Sequence, residues 1–503
     1  MSPDAREDTC AVCGGPAAQR CANCRAARYC GRAHQRAHWK DGHKAACHPY
    51  VVLTSPALGR HWVAARDIKA GEVLLEERPL VVGPKAGSPP VCLACYAPVT
   101  DGRTCSACGW PVCGARCEMA PVHRLAECPL IAGQYDARRS AVYCFVTPLR
   151  CMLLDSSEGD RRAAFRSLQS HLDRRIGTPL YQAYAINVAA FVLDRLGLRR
   201  LADSDGGPHD ERSALEATAV LDTNAFEVRR EGGRKFRAVY SQASMMAHSC
   251  TPNTKHVFVG DPADGCPVIR ITAAVAIGLG CPVTATYTQT LWCTRDRLRH
   301  LQSAKCFECA CPRCTDPTEL GTHLGSIACR ACATGRVPIT ADGPWQCTGC
   351  GRRTDDSGGD GVAEAEHHVR SLSRADGAGF ERFVKQVYAS EWLPLHAGHY
   401  VTVGAKYALA QLYSNRISEL TPAQLKYNTK ICEELLWLAD VLEPGITRFR
   451  GLLLFYLVRG LKQLNRVTKT KQNNYETIKN YTEEAVVILK TEPDLVHLIE
   501  QLQ

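Results

Sequence analysis

Apolar and polar positions along the chain fall into stretches of different period. Tyr50-Val-Val-Leu53 and Glu72-Val-Leu-Leu75 are short runs rich in β-branched and aliphatic residues, set around Gly59-Arg-His61 and Ile68-Lys-Ala-Gly71. That pattern predicts strands joined through turns, and taken alone it is a plain hairpin. From 140 to 226 the apolar spacing is mainly helical, and the turn residues of Asp203-Ser-Asp-Gly-Gly-Pro208 predict a surface loop. Asp355-Asp-Ser-Gly-Gly-Asp-Gly361 reads as a flexible linker. From 363 to 503 helical periodicity returns, with breaks at Thr421-Pro422, Pro444-Gly445 and Pro493. The first of these is a cap followed by a first-turn proline, and the whole predicts five to seven helices in antiparallel pairs. The expected fold class is α+β, a β-rich body followed by an all-α helical-repeat tail.

Length and composition narrow this further. The 503 residues suggest roughly three domains, and 45% hydrophobic with 22% charged residues is ordinary for a globular chain. The longest apolar run, Gly451-Leu-Leu-Leu-Phe-Tyr-Leu-Val458, falls far short of the ~18 residues of a membrane span. The segment Met1 to Asp8 is polar and lacks the apolar stretch of a secretory signal. An intracellular, soluble protein with no membrane partner is expected.

Twenty-eight cysteines change the picture. Cys-x-x-Cys recurs along the chain, and in a reducing compartment such pairs point to zinc, which takes thiolate and imidazole in sets of four. Residues 10–47 carry eight ligands that suit two interleaved sites, Cys10, Cys13, Cys30, His34 and Cys21, Cys24, His43, Cys47. Residues 92–128 repeat the arrangement as Cys92, Cys95, Cys113, Cys117 and Cys105, Cys108, His123, Cys128. The alternative for this repeat is a degenerate copy that binds no metal. Cys329, Cys332, Cys347 and Cys350 have the spacing of a small zinc ribbon, 329–350. Cys309, Cys311 and Cys314 supply only three thiolates. Cys144, Cys151, Cys266, Cys281, Cys293, Cys306 and Cys432 remain, each best read as a buried thiol. Six zinc ions on twenty-one thiolates bring the formal charge of +10 down to about +1, so bulk basicity is no argument for nucleic acid. The basic run Arg20, Arg25, Arg28, Arg32, Arg36, Lys40 and Lys44 is read as a solvated face.

Several segments together resemble one family. Arg28-Tyr-Cys30 and His38-Trp-Lys40 complete a pattern that resembles the MYND zinc finger, with His34 where cysteine is more usual. Leu58 to Glu77 resembles the opening of a SET domain, and Tyr240-Ser-Gln-Ala-Ser-Met-Met-Ala-His-Ser-Cys-Thr-Pro-Asn253 resembles its signature segment. Thr284-Ala-Thr-Tyr287 resembles the strand that delivers the catalytic tyrosine, and Cys306-Phe-Glu-Cys-Ala-Cys-Pro-Arg-Cys314 the post-SET segment. With the helical tail, the chain resembles the SET-and-MYND protein methyltransferases over nearly its whole length. The repeat at 92–128 is similar to the second, MYND-like finger of arthropod-type, SmydA-like members. The resemblance implies a MYND finger at 10–47, a SET domain at 50–314 with post-SET 306–314, the insert at 92–128, and a TPR-like tail at 363–503. It implies protein-lysine methylation of histone or non-histone proteins from S-adenosylmethionine. It further implies proline-rich peptides at the MYND finger, residence in nucleus and cytoplasm, and a monomer.

Site residues follow from the same resemblance. Cys250 becomes the fourth ligand to Cys309, Cys311 and Cys314, and Tyr287 the catalytic tyrosine, with Tyr240 a weaker candidate for the channel wall. Gly59 and Arg60 sit where the family wraps the methionine end of the cofactor. Asn224 matches a residue that reaches the cofactor, the His248 backbone addresses adenine, and Phe307 stacks on it. Three positions depart from the pattern. His61 replaces a glycine and is expected to crowd the cofactor; Ala247 replaces the signature asparagine. Lys305 replaces a second tyrosine and puts a cation in the lysine channel. These departures favour a second reading, a catalytically weak or inactive scaffold for protein–protein interaction in transcriptional regulation.

Overall fold

The computed structural model describes residues 9–21, 27–47, 49–125, 127–136, 142–154, 161–201, 207–230, 234–260, 266–332, 334–340, 343–469 and 475–502. Cys24 and most of the Asp203–Pro208 loop lie outside these residues. The β-rich body holds three small sheets. In the first, Tyr50–Ser55, Gly59–Ala64, Pro282–Ala285 and Ala247–His248 lie side by side, the last two strands parallel. The second orders Thr254–Val259, Val268–Ala273 and Val73–Glu77; the third orders Val81–Pro84, Arg234–Val239 and Phe226–Arg230. The 50–64 hairpin forms as its pattern predicts because Gly59 takes the left-handed φ of +64° that the tight turn requires. Trp62, Ile68, Ile269, Ile271 and Val283 close the core beneath these sheets.

The 92–128 segment is not an appendage. Its Cys92, Leu93 and Trp110 share one apolar core with Phe145, Leu149, Val192 and Leu221. The last of these belongs to the helix Glu211–Asn224, which starts in a reciprocal capping box between Asp210 and Ser213.

Six α-helices make up the tail among the described residues: Gly359–Ser371, Gly377–Tyr388, Tyr400–Asn415, Pro422–Leu442, Arg448–Thr468 and Tyr475–Leu489. Thr421 caps the fourth through a box with Gln424, and that helix stops before Pro444-Gly445. Gly445 has φ +86°, and a Cβ there would collide with the Ala274 carbonyl. The close approach lets Ile446 N donate to that same oxygen at 2.9 Å, which docks the tail on the β body. Lys255 and Glu492, nearly buried, add an ion pair of 2.7 Å across the same junction.

Two expectations need correction. Asp355–Gly361 is not a free linker: the first tail helix begins at Gly359, and Cβ atoms at Gly358 or Gly361 would run into Pro394. These glycines serve close packing rather than flexibility. Nor are all seven unassigned cysteines buried. Cys151, Cys293 and Cys432 are, whereas Cys281 is exposed in the turn before Pro282, and Cys144, Cys266 and Cys306 are half-buried. Turn and helix-end positions leave a side chain no second layer to enter.

Candidate active site and metal centres

Five ligand sets come together as their spacing suggests. Cys10, Cys13, Cys30, His34; Cys92, Cys95, Cys113, Cys117; Cys105, Cys108, His123, Cys128; Cys250, Cys309, Cys311, Cys314; and Cys329, Cys332, Cys347, Cys350 each hold their ligand atoms within 4.8 Å of one another. Tetrahedral zinc with Zn–S near ~2.3 Å demands sulfur pairs about 3.8 Å apart. Observed Sγ···Sγ distances are 3.8 Å for Cys105–Cys128 and Cys329–Cys350, 3.7 Å for Cys13–Cys30 and 3.4 Å for Cys250–Cys314. The donor sets therefore fit zinc. For the second site of the first finger, Cys21 and Cys47 lie 3.5 Å apart and His43 is buried.

Side chains beyond the ligands support the assignment. His123 Nε2 faces Cys108 Sγ at 3.5 Å, and its Nδ1 donates to Glu127 Oε1 at 3.1 Å. Glu127 in turn accepts from Arg150 Nε at 2.7 Å and Nη2 at 2.6 Å. Arg150 continues to the carbonyls of Val82 and Leu93 and the Tyr96 hydroxyl. A carboxylate that fixes the far nitrogen of a histidine is the usual outer support of a metal ligand. This chain argues against a degenerate insert. At the cluster of Cys250, Cys309, Cys311 and Cys314, fully buried Arg297 donates to Cys250 Sγ at 3.2 Å and pairs with Glu319 at 2.7 Å. Such donors offset the excess negative charge of four thiolates around one dication.

A cavity of about 470 Å³ opens beside this cluster. Gly59, Arg60, Asn224, Ala247, His248, Tyr287 and Phe307 all line it, although they come from five separate stretches of chain. Asn224 ends its helix there and donates to the Val220 and Gln169 carbonyls. His248 Nδ1 accepts from the Tyr287 backbone N–H at 2.9 Å, so its Nε2 carries the proton and donates to Cys250 Sγ at 3.2 Å. Burial holds this imidazole neutral, its pKa lowered to about 4. Cys250, a member of the four-cysteine cluster, and the Tyr287 backbone are thus tied through one ring. Tyr287 donates its hydroxyl to the Met246 carbonyl, and burial pushes its pKa up to about 12. His248, Tyr287 and Phe307 form an aromatic corner with ring centroids 5.1 to 6.5 Å apart.

Two of the candidates do not belong to the cavity. Tyr240 is fully buried in the sheet core, donates to the Pro267 carbonyl at 2.7 Å and packs against Phe226. It lies on the inner face of its segment, away from the channel. His61 likewise does not line the cavity: it is buried and folds its Nδ1 onto the Gly59 carbonyl at 3.0 Å, so it does not crowd the site. Lys305 does line it, with Nζ 5.7 Å from the Tyr287 ring centre. Sequence reasoning missed His171, Arg174 and Cys306, which also line the wall. His171 sits at φ +50° before a short helix, and no motif marks it.

The model of the MYND finger matches residues 10–47. Against curated proteins, the chain is 32% identical over 326 residues to SET domain-containing protein SmydA-8, isoform B, of Drosophila melanogaster, covering 59% of this chain and 66% of that one. The chain belongs to the SET-and-MYND family. Other relatives include histone-lysine N-methyltransferase ASHR1 of Arabidopsis thaliana, 27% identical over 53% of this chain and 55% of its own. Histone-lysine N-methyltransferase SMYD3 of Mus musculus is 25% identical over 52% of this chain and 60% of its own. The chain spans just under two thirds of the length of the curated SmydA-8 relatives it matches. Its first finger is the MYND finger, and no helix among the described residues is long and apolar enough to cross a membrane.

Proposed function

We propose that the protein is a lysine methyltransferase that uses S-adenosylmethionine, with the SET cavity as its active site. The observation that carries the reading is convergence: Tyr287 and the six residues put forward for cofactor contact, from five stretches, line one cavity of a size that suits a nucleoside ligand. Several curated relatives are named as lysine methyltransferases. Gly59 and Arg60 would hold the methionine end, Asn224 the turn beside it, and the His248 backbone with Phe307 the adenine. S-adenosylmethionine supplies an electrophilic sulfonium methyl when bound. The protein's share is positioning and exclusion of water. Tyr287, oriented by its bond to Met246 and by His248, offers a neutral hydroxyl at the cavity wall. Residence in nucleus and cytoplasm, a monomeric state, six zinc ions and proline-rich peptides at Trp39 of the MYND finger belong to the same proposal.

The scaffold reading keeps two specific observations in its favour: Ala247 lines the cavity and offers no polar side chain, and Lys305 places a cation beside Tyr287. Calorimetric titration with S-adenosylhomocysteine separates the two. Binding, together with transfer of labelled methyl to histone or lysate proteins that falls in Tyr287→Phe while affinity holds, supports the enzyme. No binding and no transfer supports the scaffold.

A further inference from the structure

Lys305 ends the helix Thr294–Lys305 and reaches the cavity wall beside Tyr287. Main-chain carbonyls orient its nitrogen, which donates to Thr223 O at 2.6 Å and to Asp222 O at 3.4 Å. An amine about to accept a methyl group needs what Lys305 already has: carbonyls to aim it, an aromatic wall, and a half-buried setting that eases release of its proton. It is also tethered, so its effective concentration exceeds that of any free peptide. We propose that Lys305 is itself a methyl acceptor, modified in cis by the cofactor bound in its own cavity. The inference rests on the methyltransferase reading of that cavity.

The step balances without another reactant. The ammonium first gives one proton to solvent. The lone pair on Nζ then forms an N–CH3 bond as the CH3–S bond of the sulfonium breaks. That bond's electron pair stays on sulfur as the neutral thioether of S-adenosylhomocysteine, and the positive charge ends on the methylated amine. The electrostatic setting assists the first event. Burial lowers the Lys305 pKa to about 8, Arg175 lowers it as well, and Asp222 and Cys306 oppose. Of the other groups nearby, Lys305 itself helps to depress His171 and His300, both already lowered by burial, and Tyr287 stays neutral with its pKa near 12. A pKa of about 8 leaves about a tenth of the amine neutral at pH 7 and about nine tenths at pH 9, so initial modification should quicken by up to about tenfold.

The test uses the full zinc-loaded chain incubated with S-adenosylmethionine, digested and sequenced by tandem mass spectrometry. One or more added methylene masses on Lys305 are expected, at a rate per molecule independent of protein concentration. A second readout needs no turnover: reductive methylation with deuterated formaldehyde should mark Lys305, faster at pH 9 than at pH 7, and S-adenosylhomocysteine should shield it. If S-adenosylhomocysteine binds by calorimetry yet Lys305 stays unmodified, or only other lysines gain methyl groups, the proposal is overturned while the methyltransferase reading stands. If the ligand does not bind at all, both fall.

Discussion

Glu127→Gln removes one charge from a buried chain of contacts while leaving side-chain volume unchanged. Glu127 and His123 have no solvent exposure and Arg150 is 6% exposed, so solvent cannot compensate. The carboxylate takes two bonds from Arg150 and one from His123 Nδ1. The amide has a single carbonyl oxygen to share between them, and its N–H2 must face one of the two donors. Arg150 keeps the Val82 and Leu93 carbonyls at 2.8 and 2.7 Å but loses its counter-charge. Breaking a buried pair from one side costs about 3–5 kcal/mol. Loss of a metal ligand's outer partner costs roughly 10–100-fold in metal affinity. Since the insert shares its core with Phe145 and Leu221, the damage should reach the helices behind it. Zinc release followed with a chromogenic chelator should show one ion leaving at least about tenfold faster, and the melting temperature should fall. The double change Glu127→Leu with Arg150→Met should recover most of the stability, because no lone charge remains, but not the zinc. Wild-type zinc retention and an unchanged melting temperature in Glu127→Gln would refute the reasoning.

Elemental analysis of protein purified without chelator should give five to six zinc ions per chain; a value near two would remove both the insert and the ribbon from the metal sites. Ala247→Asn should tighten S-adenosylhomocysteine by about 1–2 kcal/mol, read by calorimetry, since a hydrogen-bonding side chain is restored to the cavity wall. Lys255→Met should loosen the tail by less than the ~3–5 kcal/mol of a fully stranded charge, because the Glu492 carboxylate, 4% exposed, loses its 2.7 Å partner and keeps only Arg448 at 3.5 Å. Faster proteolytic cleavage between body and tail is the expected sign, and an unchanged digestion pattern would count against it. Trp39→Ala should abolish any preference of the first finger for proline-containing peptides on an array; retained preference would place the groove elsewhere.

The candidate metal ligands other than Cys250, which only the family pattern supplied, were legible along the chain because their chemistry is local: a Cys-x-x-Cys pair sits on one turn, and two pairs suffice to propose a tetrahedron. Strands at Tyr50 and Val73, the capping box at Thr421 and the stop before Pro444 were legible for a similar reason, since each is decided by neighbours a few residues away. The family pattern carried Gly59, Asn224, His248, Tyr287 and Phe307, and the fold gathers them at one cavity.

What the sequence left open lies in contacts between distant residues. Tyr240 and Tyr287 are both tyrosines beside SET motifs, yet one turns into the sheet core toward Pro267 and the other to the cavity wall. His61 stands where glycine is usual and still does no harm, because it folds onto the Gly59 carbonyl. The glycines of 355–361 look like linker residues until Pro394 is packed against them. Arg150 to Glu127 and Arg297 to Cys250 join residues 23 and 47 positions apart and give buried charges partners that no local pattern announces. Ligand type and spacing fix which atoms can bind a metal. Which buried charges survive, and which side chains reach the cavity, is set by desolvation and close packing, and those exist only once the chain has closed on itself.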